Sequence, residues 1–223
     1  MPYRRTENVV RRLAAREEAI LAAASAAAAE GGMAAVQIAP VAERAGIAAG
    51  TVYRYFPSKT DLVAELVAAI SEREVGAMRA AADAAPGPLS ALAASIATFA
   101  TRALRERRLT WAVLAEPVDA QVDAVRLDYR QALATEIETR IRAAIEGGHL
   151  PEQDTNVAAP AIVGALLEGS IGPLAPDDGG DPALARQAVQ SLTLLSLRGL
   201  GVVDARARGL IAQTAMPPEE GAA

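Results

Sequence analysis

The chain has 223 residues, 52% hydrophobic, 22% charged and only 3% aromatic, with a net charge of −5. That length and apolar content fit a folded chain with a sizeable core and exclude a disordered one. The absence of cysteine excludes disulfides, thiolate nucleophiles and thiolate metal ligands, and a single histidine leaves little material for catalysis.

Alanine dominates, so the core must be made of small side chains, which favours closely approached helices over strands. An all-α fold is expected. Leu13, Ile20, Ala24 and Ala27 share one helical face and predict a first helix over residues 7 to 30, stopped by Gly31-Gly32. Two short helices follow, near 39 to 45 and 49 to 56, with Gly46 suited to the left-handed cap between them. Gln37-Ile38-Ala39-Pro40 offers the second helix no Ser or Thr cap. Pro57 breaks the chain and Ser58 caps a fourth helix, with Asp61 in place of the capping-box Glu, which runs through Leu62, Leu66 and Ile70 to about residue 83.

After Pro86-Gly87-Pro88, the residues Leu89, Leu92, Ile96, Phe99 and Leu104 mark an amphipathic helix, and a short segment over 110 to 116 ends at Pro117. Arg107 and Arg108 form a solvated helix end in this reading. Val122, Val125, Tyr129, Leu133, Ile137, Ile141 and Ile145 give the most regular stripe, on a helix from 119 to the stop at Gly147-Gly148. Two last long helices, over 154 to 171 and 182 to 200, are apolar almost all round and need cover on two sides. One side faces the chain's own core and the other a second copy, with Gly164, Ala165, Gly169 and Ser170 allowing close approach, so a homodimer is expected. Residues 173 to 182 form a loop. The domains predicted are 1 to 60, 61 to 216, and a disordered tail from 217 to 223.

Charge is divided along the chain. Residues 1 to 60 carry eight basic and five acidic side chains, a net of +3, which leaves −8 of the total −5 for the remainder. A basic head on an acidic body draws a polyanion to one end. No export signal stands at the N-terminus and the longest uncharged run, 84 to 101, is broken by Pro and Gly, so a cytoplasmic chain without membrane spans is expected.

The head also holds Tyr53, Tyr55, Phe56 and the only lysine, Lys59, within the stretch AERAGIAAGTVYRYFPSK. Three of seven aromatic residues beside two cations make a surface suited to phosphates and bases. The short helix closed by Gly46 and followed at once by another is a helix-turn-helix, whose second helix enters the major groove.

Arg16-Glu17-Glu18-Ala19-Ile20-Leu21-Ala22-Ala23-Ala24, then Glu30-Gly31-Gly32, then GTVYRYFPSK with Asp61-Leu62 resemble, in order and spacing, the TetR family of bacterial transcription regulators. The resemblance covers about residues 16 to 66. It implies that Gly50, Thr51, Tyr53, Arg54 and Tyr55 face DNA, that Val52 and Phe56 are buried, and that Lys59 clamps a phosphate. Arg54 is expected to bind a guanine edge. Arg4, Arg5, Arg11 and Arg12 form either a DNA-contacting arm or a solvated terminus.

Beyond residue 85 the resemblance is only to a general plan, a divergent helical domain for ligand binding and dimerisation. It implies a repressor released from double-stranded operator DNA by a small, largely hydrophobic effector, with no cofactor and no metal. Phe99, Trp111, Arg126, Tyr129 and Glu168 are the candidate ligand residues, each with a core or surface role as its plain alternative, and Glu116 is a further polar candidate. His149 is expected on a surface loop. A helical partner-binding module with a degenerate helix-turn-helix is the alternative function, while an enzyme lacks any phosphate-binding glycine loop or metal cluster in the sequence.

Overall fold

A computed structural model describes residues 7–176 and 179–214. Arg4, Arg5 and the tail expected at 217–223 lie outside the described residues. Every regular element among the described residues is helical: α1 Glu7–Gly31, a 3-10 turn Met33–Ala35, α2 Ile38–Arg44, α3 Ala49–Val52, α4 Lys59–Asp83, α5 Pro88–Arg105, α6 Arg107–Leu114, α7 Ala120–Glu146, α8 Thr155–Ser170, α9 Pro182–Gly199 and α10 Asp204–Gln213. Among the described residues no helix is long and apolar enough to cross a membrane.

The chain forms two compact units. One holds the described residues up to Ile70 together with Arg108–Arg126, and the other holds Ser71–Arg107 with the described residues from Leu127 onward. A single cut after residue 60 does not describe this division, because a segment distant in sequence returns to the head.

In the first unit α1 packs on α2, and α2 on α3. Ile20, Ala24, Ala28, Val36, Val41 and Val52 are wholly enclosed. The end of α2 follows from one glycine. Gly46 sits at φ 66, its N–H bonds to Glu43 O at 3.0 Å, and Ile47 N–H bonds to Ala42 O at 2.9 Å, which closes the last carbonyls of α2. Gln37 gives α2 no side-chain cap and instead donates to Ala34 O at 2.9 Å. Ser58 caps α4 as the sequence predicts: its hydroxyl accepts the Asp61 N–H at 3.1 Å and donates to the Asp61 carboxylate at 2.7 Å.

One contact fixes residues 108–126 to the head, and a second holds the segment together internally. The Glu116 carboxylate accepts the Met33 N–H at 3.1 Å and fills the space that a Cβ on Gly32, at φ 72, would occupy. Arg126, only 6% exposed, donates to Val113 O at 2.7 Å, to Ala112 O at 2.5 Å and to Glu116 O. These carbonyls lie at and just beyond the end of α6, so the buried guanidinium serves as a C-terminal cap.

In the second unit α9 packs against α5, α8 and α10. Tyr129, Leu133, Ile137 and Ile141 form the buried stripe of α7, which ends at Gly148 in the same left-handed cap, with His149 N–H on Ala144 O at 2.8 Å. Gly169 serves the chain's own packing: a Cβ there would strike Leu192 of α9, whereas Gly164 faces open space.

Three elements differ from expectation. α3 ends at Val52, and the chain continues to Phe56 in tighter turns, with Arg54 N–H on Thr51 O and Tyr55 N–H on Val52 O, three residues back rather than four. Arg107 is not a solvated end, since it donates to Pro176 O at 2.9 Å and Ala175 O at 3.1 Å. α10 has no counterpart in the sequence reading, because only Ala207 of its ten residues is buried and no apolar stripe announces it. Its sole signal is charge: Asp204 in the first turn pairs with Arg208 at 3.0 Å and also with Arg198.

Candidate nucleic-acid interface

The recognition element is built outward from two buried anchors. Val52 is fully enclosed and Phe56 is 4% exposed, and each such side chain contributes about 1.5–3 kcal/mol by leaving water. Four residues apart, they share the inner side, which turns Gly50, Tyr53 and Arg54 outward. Tyr53 is 53% exposed although it is one of the few aromatic side chains of the molecule. Thr51, Tyr55 and Lys59 are half-buried. A Cβ on Gly50 would meet no atom within 4 Å, so no packing demands glycine there, and a bare, exposed backbone is left at the start of α3.

Two cavities flank this element within the first unit. A groove of about 600 Å³ runs between α1 and the α2–α3 turn, lined among others by Arg12, Arg16, Thr51, Arg54 and Tyr55. A second, of about 330 Å³, is lined by Lys59, Thr60, Val63 and Met33 on one side and by Glu116, Asp119 and Val122 on the other. Arg54 thus stands beside the arginines of α1, a placement that the linear sequence does not reveal.

One of the head's acids, Glu30, is engaged away from this groove. Glu30 and Arg44 form a bidentate pair at 2.7 and 2.6 Å that ties the end of α1 to the end of α2. The hydrogen bonds from Arg44 hold the Glu30 carboxyl below its ordinary value. This gives the Glu30-Gly31-Gly32 motif a physical purpose, one residue for the ion pair and two for the exit from α1.

The candidate ligand residues fall in different units. Trp111 and Arg126 belong to the first, Phe99, Tyr129 and Glu168 to the second. Arg126 is spent on backbone carbonyls, Glu116 on Met33, and Glu168 is exposed with its carboxylate against Gly172. Phe99 and Tyr129 are buried. Burial, and then the negative charge of Glu74, push the Tyr129 hydroxyl up, so it stays protonated. Sequence reasoning missed the polar group next to it: Glu74, buried, receives Arg102 at 2.5 and 2.9 Å and Arg73 at 2.9 Å. The Glu-Arg-Glu-Val text around Glu74 shows nothing of a partner 28 residues away.

Comparison with known proteins agrees with this geometry. Residues 20–66 match the model of bacterial regulatory proteins of the tetR family. The HTH-type transcriptional repressor KstR of Rhodococcus jostii is 54% identical over 44 residues, 20% of this chain and 21% of that protein. KstR of Mycolicibacterium smegmatis is 52% identical over 44 residues, 20% and 22% of the two chains. The match thus spans about a fifth of the length of these curated relatives. Among solved structures, RolR in complex with resorcinol has a TM-score of 0.66 at 21% identity, over 94% of this chain and 98% of that one. FadR from Bacillus subtilis in complex with stearoyl-CoA has 0.67 at 20% identity, over 79% and 97%. Residues 20–66 thus carry the sequence pattern of the tetR family of bacterial regulatory proteins, and the chain shares its fold with RolR and FadR.

Proposed function

We propose that the protein is a transcriptional repressor that binds operator DNA through α3 and the turn after it and is released by a small, largely hydrophobic effector. The observation that carries this reading is the outward set Gly50, Thr51, Tyr53 and Arg54 on the buried anchors Val52 and Phe56, with Lys59 at the start of the next helix. Exposing a scarce aromatic beside cations costs stability unless a partner covers it. The 44-residue sequence match with KstR repressors and the family match over residues 20–66 support it.

The effector class is inferred from the second unit, whose interior offers Phe99 and Tyr129 among aliphatic side chains. RolR and FadR, which share the fold, are seen with resorcinol and with stearoyl-CoA. A homodimer through α8 and α9 accounts for the apolar side chains left exposed on them, Val157 at 64%, Leu184 at 48% and Leu195 at 58%, and for the open Gly164. Such a protein acts in the cytoplasm, without enzymatic activity of its own.

The test is a gel shift of the purified protein on DNA upstream of its own gene, at low and moderate salt, beside Lys59→Ala and Tyr53→Ala. A sharp shift that fades with salt and is lost in both variants supports the reading. A folded wild type that is indifferent to that DNA and to selected duplexes at low salt overturns it.

A further inference from the structure

The groove between α1 and the α2–α3 turn gathers cations without counter-charge. Arg12 and Arg16 stand one helical turn apart on α1, and Arg54 joins them from the recognition turn. All three are exposed, the groove lining contains no acidic side chain, and none of the three has a hydrogen-bond or ion-pair partner among the described residues. Like charges around one concavity repel, and an exposed α1 face has no packing need for them. A polyanion resolves the arrangement. Arg12 and Arg16 are about 6 Å apart along α1, a spacing that lets them meet neighbouring phosphates of one strand.

We propose that Arg12, Arg16 and Arg54 form one phosphate-binding site that grips the DNA backbone beside the bases met by Gly50, Thr51 and Tyr53. Arg54 is then an anchor and not the base reader that its position in the motif suggests. The inference rests on the DNA-binding reading above. Because phosphate contact is independent of sequence, it is separable from base recognition by salt and by selection.

The experiment measures anisotropy of a labelled random-sequence duplex of about 30 base pairs across a salt series. It compares wild type, Arg54→Ala and Arg12→Ala/Arg16→Ala, with thermal melts to confirm that the exposed substitutions leave the fold intact. Each lost arginine should make the log–log slope shallower by about 0.9 per head. In parallel, selection from a random duplex pool should return the same consensus for Arg54→Ala as for wild type. Unchanged slopes overturn the site, and loss of one base preference in Arg54→Ala restores that residue to base reading. A wild type that binds neither probe removes the DNA-binding reading together with the site, whereas binding with unaltered variants removes the site alone.

Discussion

Two arginine clusters in the molecule differ in what faces them. In the second unit Arg102 and Arg73 converge on Glu74, and Arg73 reaches Glu106 at 3.1 Å, so each guanidinium meets a carboxylate. Arg140 is treated likewise, between Glu136 at 2.7 Å and Asp83 at 2.9 Å. In the first unit Arg12, Arg16 and Arg54 surround a groove with no acid in its lining. The first arrangement is closed electrostatically and belongs to the fold. The second is open to solvent, and on the proposal above DNA phosphates supply its counter-charge.

The largest test of this contrast is to open the closed cluster. Glu74→Ala removes the carboxylate on which Arg102, a mostly buried guanidinium, and Arg73 converge, and loss of one member of such a pair costs about 3–5 kcal/mol. A thermal or urea melt should show a large loss of stability. Arg54→Ala should leave the same melt nearly unchanged, as exposed substitutions usually stay within about 0.5 kcal/mol. If both variants melt alike, the contrast fails.

Acid titration sharpens the same point. Burial alone raises the Glu74 carboxyl, but the hydrogen bonds and charge of Arg102, then those of Arg73, outweigh it and hold the group below its ordinary 4.5. The folded state therefore favours the ionised form. The stability this contributes is fully present above about pH 4.5 and is lost as pH falls through the lower folded value. The gap in melting temperature between wild type and Glu74→Gln should be constant from neutral pH down to that point and shrink below it. A gap that persists in strong acid would show that Glu74 acts through packing.

How much of this was visible in the sequence depends on the range of the interaction. Gly46, Ser58 with Asp61, and the Val52–Phe56 pair act over four or five residues, so local rules place them correctly. The stripe of α7 is long enough to be read by its period alone. Glu116 on Met33, 83 residues away, and Arg102 on Glu74, 28 away, leave no local trace. Arg126 illustrates the cost: an arginine in an apolar stripe suggests a ligand anchor, whereas its partners are carbonyls 10 to 14 residues back. The extra turns after α3 escape because helix and tight-turn residues there look alike.

A moderate effect probes a carboxylate of the first unit that lies outside the groove. Glu116 sits against Gly32, which leaves it room by having no side chain. Gly32→Ala forces a Cβ onto a backbone at φ 72 and ψ −171, a region essentially reserved for glycine, a strain of about 1–3 kcal/mol, and also drives the Glu116 carboxylate off Met33 N–H. Stability should fall by at least that strain, read from a urea melt, while the salt slope of DNA binding stays as in wild type. A changed slope would mean that Glu116 already tempers the head's positive field.

The smallest expected change in stability is the most specific to the groove. Ala19, exposed and part of its lining, lies three residues from Arg16 on the same face of α1. Ala19→Glu supplies in-house the counter-charge that the groove lacks. An exposed helical Ala→Glu costs or gains about 0.5 kcal/mol at most, and the new i,i+3 pair offsets part of the lost alanine propensity. DNA binding should nevertheless weaken, with a slope shallower by about 1 per head, because the carboxylate now neutralises an arginine that would otherwise release a counterion from DNA. Ala19→Gln separates charge from bulk and should bind as wild type does. If Glu and Gln behave alike, the arginines of α1 are surface charges with no client, and the two clusters differ only in burial.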